Sequence, residues 1–147
     1  MPRSIQHICI TDDDPDDYYL FKTALSEVND SVKLNGFSSC ASLLEFLKNT
    51  HQLPDLIVMD MNMPVNDGFK CLLAIKKESR LQHIPVVIYS TSDSPDTMQR
   101  AKECGAFDNL PKAPSFHLTK ELIEKMLTIP VSELQNDPII ENKAQQR

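Results

Sequence analysis

Carboxylates crowd the start of this chain: residues 12–17 read DDDPDD, five aspartates in six positions, directly after the apolar run ICIT. Another aspartate, Asp60, follows LIVM, the hydroxyl pair Ser90 and Thr91 ends the run VVIYST, and Lys112 follows DNLP. Two carboxylates about 5 Å apart repel by about 3 kcal/mol at an effective dielectric of 20. Three that share a site therefore call for a proton or a cation. A hard divalent ion such as Mg²⁺ meets that demand, because it takes oxygen ligands, keeps several waters and is held by one or two carboxylates together with phosphate oxygens. Lys112 would bring a point charge to one phosphate oxygen, and the Ser90 hydroxyl could donate to another. A carboxylate can also attack phosphorus to give an acyl phosphate. These residue types suit phosphoryl chemistry, and on their own they leave open which carboxylate attacks.

Such a cluster needs an edge on which separate strands end. Short runs rich in Ile and Val alternate with longer stretches of helical periodicity, the pattern of repeated β-α units around a parallel sheet. Strands are expected at 6–11, 32–37, 55–60, 85–90 and 106–110, and helices at 15–28, 40–49, 67–79, 95–104 and 115–127. The third and fourth strands are nearly continuous apolar runs, as in strands covered on both faces. In the last helix Leu118, Leu122 and Met126, with Ile123 and Leu127, make one apolar stripe. Right-handed crossovers then give a three-layer α/β sandwich, whose ligands bind beyond the carboxyl ends of the strands. Within DDDPDD, Asp14 precedes Pro15 and suits a helix N-cap. Asp16 and Asp17 fall in the first turn, where each complements the helix dipole by about 0.3–1 kcal/mol, and they are expected to be dispensable for chemistry.

With 147 residues, 41% of them apolar, the chain is long enough for one domain with a proper core. A formal charge of −6 argues against a nucleic-acid or membrane-surface binder, which would need clustered Lys and Arg, and favours cationic partners. The longest apolar runs fall far short of the roughly 20 residues that span a bilayer, and the segment MPRSIQHICI has no signal-peptide h-region, so a cytoplasmic protein is expected. Cys9, Cys40, Cys71 and Cys104 are widely spaced without a C-x-x-C pair, which reads as free thiols in a reducing compartment. The segment TIPVSELQNDPIIENKAQQR, mostly polar with two prolines, reads as a tail, giving a domain over 1–128 and a tail over 129–147 with no output domain.

Taken together, the acid pair, the block PDLIVMDMNMPVNDGF at 54–69, IPVVIYSTS at 84–92 and GAFDNLPK at 105–112 resemble the receiver domains of two-component response regulators, in order and at family spacing across 5–127. The resemblance implies a flavodoxin-like, doubly wound five-stranded parallel sheet of order 2-1-3-4-5. It also implies a stand-alone regulator whose Asp60 accepts a phosphoryl group, with Mg²⁺, from a sensor histidine kinase or a histidine phosphotransfer protein. Asp13 matches the direct metal ligand, Asp12 the acid that reaches the metal through water, and Asn62 the residue whose backbone carbonyl ligates it. Ser90 matches the switch hydroxyl, with Thr91 its neighbour and competitor, and Lys112 the lysine that pairs with the phosphoryl group. Output is then expected by protein contact or onward phosphotransfer, to a downstream target that the sequence does not name, and the resemblance leaves room for a homodimer.

Two positions depart from the family pattern. Ala113 follows the lysine where the family has a proline, and Asn109 stands where it usually has an aromatic residue. Signalling is therefore expected to use the 90–95 loop or another face. A pseudo-receiver that binds protein without being phosphorylated is the alternative reading. A haloacid-dehalogenase-type phosphatase fits poorly, since Asp60-Met61-Asn62 lacks the second acid of D-x-D.

Overall fold

The computed structural model describes residues 4–61, 67–91 and 94–131. Strands and helices alternate along them: β1 (His7–Thr11), α1 (Pro15–Val28), β2 (Lys33–Phe37), α2 (Cys40–Asn49), β3 (Leu56–Met59), α3 (Asp67–Lys77), β4 (Val86–Ser90), α4 (Pro95–Glu103), β5 (Asp108–Pro111) and α5 (Phe116–Met126). The strands form one parallel sheet of order β2-β1-β3-β4-β5, the flavodoxin-like arrangement expected.

Alternation of side chains divides the core in two. Ile8, Ile10, Leu56, Val58, Val87 and Tyr89 meet Phe21 and Ala24 of α1 and Ile123 and Met126 of α5 on one face. On the other, Cys9, Ile57, Met59, Val86 and Ile88 meet Leu43 and Leu47 of α2, Leu72 and Ile75 of α3 and Ala101 of α4. Residues of β3 and β4 therefore bury both faces, which is why those runs lack polar alternation. Ile129 and Val131 also pack into the first cluster.

Local chemistry ends the helices where the pattern suggests. Asp14 caps α1 by accepting the Asp16 N–H at 2.9 Å, with Pro15 in the first turn. Ser39 and Ser115 cap α2 and α5 through the N–H groups of Ser42 and Leu118. Gly105, at φ 105°, closes α4 in a left-handed turn that a Cβ would disfavour.

Three expectations need correction. β5 begins at Asp108 rather than 106, because Ala106 and Phe107 complete the exit from the Gly105 turn and Phe107 is exposed. In α5 the inward face is Thr119, Ile123 and Met126; Leu118 is exposed and borders an open groove with Leu122, Glu121 and Lys125. Cys40 and Cys71 are joined as a disulfide, since α2 and α3 pack side by side and bring their Cα atoms to 5.6 Å, while Cys9 and Cys104 are free thiols. Proximity across 31 residues is a tertiary fact that cysteine spacing does not reveal.

Candidate functional site

The carboxyl edge of the sheet collects the candidates because the backbone ladder runs one residue past three strands. The Asp12 N–H donates to the Phe37 carbonyl (2.9 Å), the Asp60 N–H to Thr11 (3.2 Å) and the Lys112 N–H to Ser90 (3.0 Å). Each side chain thus leaves a fixed backbone at the same level of the sheet. The Asp12 carboxylate is steadied further by the Asp14 N–H at 3.0 Å.

Carboxylate oxygens of Asp12, Asp13 and Asp60 lie within 4.8 Å of one another. Asp12 and Asp60 are buried, whereas Asp13 is exposed at the rim. An open groove of about 450 Å³, bordered by Tyr18, Phe37 and Ser38, leads to Asp12 and Asp13. Three oxygens so close, with a groove leading to two of the residues that carry them, suit a hard cation with part of its coordination left to water and phosphate.

Lys112 supplies the positive charge. Its Nζ donates to Asp17 at 2.7 Å, Asp12 at 2.9 Å and Asp60 at 3.3 Å, and lies 5.8 Å from the centroid of the Tyr89 ring. The lysine side chain is 8% exposed and those of Asp12 and Asp60 are 1% and 2%, so their charges meet with little water between them. Burial pushes the Asp12 carboxyl above its ordinary range, against the pull of the Asp14 amide and Lys112. For Lys112 burial acts to lower the pKa, but hydrogen bonds to Asp17 and Asp12 and the charge of Asp60 outweigh it and leave the ammonium more firmly protonated than usual. Burial also raises the Tyr89 phenol, despite its hydrogen bond with Thr119 of α5.

The structure therefore brings together Asp12, Asp13, Asp60 and Lys112. Ser90 ends β4, buried on the same edge, and Thr91 follows it exposed. Asn62 lies outside the described residues. Asp17 was expected to serve only the helix dipole, yet it makes the shortest hydrogen bond to Lys112. It lies in the first turn of α1, four residues after Asp13, and that nearness to the acid pair is the available signal.

A doubly wound sheet with an acidic pocket and a lysine on its carboxyl edge defines an α/β domain whose ligand site lies beyond the strand ends. Residues 8–126 match the response regulator receiver domain family, and the chain belongs to it. It is 33% identical over 109 residues to the two-component response regulator ORR8 of Oryza sativa subsp. indica, a match covering 74% of this chain and 88% of that protein. ORR13 of Oryza sativa subsp. japonica is 32% identical with the same coverage. Among solved structures, the phosphorylated cyanobacterial phytochrome response regulator RcpA is similar at TM-score 0.76 and 25% identity, covering 84% of this chain and 95% of that one. The Mn²⁺-bound form of response regulator Rcp1 shares the fold at TM-score 0.77 and 24% identity, covering 86% and 99%. No helix among the described residues is long and apolar enough to cross a membrane.

Proposed function

We propose that this receiver domain is a phosphoacceptor of a two-component relay, phosphorylated on Asp60 with Mg²⁺ held by Asp12, Asp13, Asp60 and the backbone carbonyl of Asn62. The observation that carries the reading is the convergence of three carboxylates within 4.8 Å with the Lys112 ammonium 3.3 Å from the Asp60 oxygen. The phosphorylated state of RcpA, a relative in fold, supports it.

The donor is a sensor histidine kinase or a histidine phosphotransfer protein. The Asp60 carboxylate attacks phosphorus, the O–P bond forms as the P–N bond of the phosphohistidine breaks, and the imidazole leaves and takes a proton. Phosphoryl transfer of this kind demands little covalent work from the protein beyond alignment and neutralisation of the equatorial oxygens. When bound, Mg²⁺ supplies most of that neutralisation. Lys112 pairs with a phosphoryl oxygen, Asp12 and Asp13 hold the cation, and the Ser90 hydroxyl, with Thr91 beside it, turns toward the new charge. The loop after Ser90, or another face, then carries the change to a protein partner or to the next relay member.

The test is labelling by acetyl phosphate or a histidine kinase in the presence of Mg²⁺. Wild type is expected to become labelled and Asp60→Ala to remain unlabelled. Equal labelling of the two would overturn the assignment, and absence of labelling with either donor would point to a pseudo-receiver.

A further inference from the structure

An ammonium has three N–H groups, and here all three are matched to carboxylates on three different elements: Asp12 after β1, Asp17 in α1 and Asp60 after β3. The three partners are not equivalent. Asp12 and Asp60 belong to the trio of oxygens that can share a cation, and Asp17 does not. An oxygen of Asp12 or Asp60 turned to Lys112 is an oxygen drawn away from the cation, so the lysine and the divalent ion compete for the same two carboxylates. Asp17, at 2.7 Å, makes the shortest of the contacts, and Asp60, at 3.3 Å, the longest. Asp17 is also the partner in touch with water, its side chain 40% exposed against 1% and 2% for the others. A first-turn aspartate that served only the helix dipole would have no reason to reach across 95 residues to a nearly buried lysine.

We propose that Asp17 is a positioning residue for Lys112: it holds the ammonium on the α1 side of the site, which leaves the oxygens of Asp12 and Asp60 to the cation and keeps the lysine within reach of the phosphoryl group. The inference rests on the phosphoacceptor reading. It makes Asp17, a residue outside the cation cluster, a determinant of both cation affinity and transfer rate. Without the Asp17 carboxylate the ammonium settles onto Asp12 and Asp60, competes with the incoming cation and loses its fixed direction toward phosphorus.

Calorimetric titration with MgCl₂, joined to acetyl phosphate labelling at saturating Mg²⁺, tests this on wild type, Asp17→Asn, Asp17→Glu, Lys112→Met and the double variant Asp17→Asn with Lys112→Met. Asp17→Asn is expected to weaken Mg²⁺ binding and to slow labelling at saturating Mg²⁺ by about fivefold each, the factor a partly exposed ion pair commands. Asp17→Glu, which restores the charge, is expected to recover most of both. In the Lys112→Met background, Asp17→Asn is expected to change neither, because the effect passes through the lysine. Lys112→Gln replaces Lys112→Met if thermal melting shows that the latter is unfolded. Asp17→Asn indistinguishable from a wild type that is labelled on Asp60 would overturn the inference and leave the phosphoacceptor reading intact. An equal loss in the lysine-free background would also overturn it, since bare charge would then be the cause. A wild type that neither binds Mg²⁺ nor becomes labelled would instead remove the reading on which the inference stands.

Discussion

Two buried aspartates sit just beyond opposite ends of the same strand, and they are used in opposite ways. Asp55, before β3, is 2% exposed, and one of its carboxylate oxygens accepts the main-chain N–H groups of Gln6 at 2.8 Å and His7 at 3.1 Å. Asp60, after β3, is equally buried but faces a side-chain ammonium at 3.3 Å and two further carboxylates. Main-chain donors cannot leave without unfolding the strand, so Asp55 acts as a staple that sets the start of β1. The Lys112 partner of Asp60 is a side chain, and a lysine side chain can turn from one carboxylate to another without unfolding a strand. Depth of burial is the same at the two sites; what separates them is a main-chain grip at one and a side-chain ammonium at the other.

The comparison is most severely tested at Asp60 itself. Asp60→Asn is expected to abolish labelling altogether, yet to melt no lower than wild type without Mg²⁺, because it removes a charge from a self-repelling group. Asp55→Ala is expected to do the reverse. It leaves the main-chain N–H groups of Gln6, part-buried, and His7, buried, without their acceptor and should lower the unfolding free energy by about 3 kcal/mol in urea titration, while labelling persists below the melting temperature. A labelling loss in folded Asp55→Ala would break the distinction between the two ends.

Cation binding sharpens it. At about 100 times its dissociation constant, Mg²⁺ should stabilise wild type by about 2.7 kcal/mol. Asp13→Ala is expected to lose most of this gain and Asp55→Asn to keep it, as read from melting curves with and without the ion.

A smaller effect concerns Thr11, the last residue of β1 before Asp12. Its hydroxyl is fully buried and has no hydrogen-bond partner among the described residues. Thr11→Val should therefore be neutral or stabilise the fold by about 1 kcal/mol. A loss of stability comparable to that of Asp55→Ala would mean that the hydroxyl is held as the Asp55 carboxylate is.

How much of this could be read from the sequence depends on the range of the interaction concerned. The strands of the inner sheet were legible because Leu56–Met59 and Val86–Ser90 bury both faces and so carry an unbroken apolar signal. Asp12, Asp13, Asp60 and Lys112 were legible as candidates because a parallel sheet gathers strand ends on one edge. The Asp14 cap was legible from its neighbours alone. Asp17 reads as a helix-dipole residue because first-turn acids usually are, and its contact with Lys112 joins residues 95 positions apart. The inward face of α5 was misjudged by one residue because Thr119 fills a core position that a hydrophobicity pattern assigns to Leu118. The pairing of Cys40 with Cys71 depends on how α2 and α3 pack, which neither helix encodes by itself.

His7 offers the gentlest probe of the staple end, because it tests a pH dependence carried by a single buried imidazole. Its ring is buried, its Nε2 is 2.6 Å from Asn35 Oδ1, and its backbone N–H is one of the two that Asp55 accepts. Burial lowers the imidazole pKa, partly offset by the Asn35 hydrogen bond; Lys33 lowers it further and Asp55 raises it. The unfolded chain takes up a proton near pH 6.5, whereas the native chain does so only below that. Between those two values the unfolded state binds more protons, so stability rises with pH and falls as pH drops through 6.5. Wild type is therefore expected to melt lower at pH 5.5 than at pH 7.5, and His7→Phe, which packs against Phe46 without a titrating group, to show a shallower slope over that range. An unchanged slope would assign the acid sensitivity to another group and leave the Asp55 end of the sheet without a titrating element.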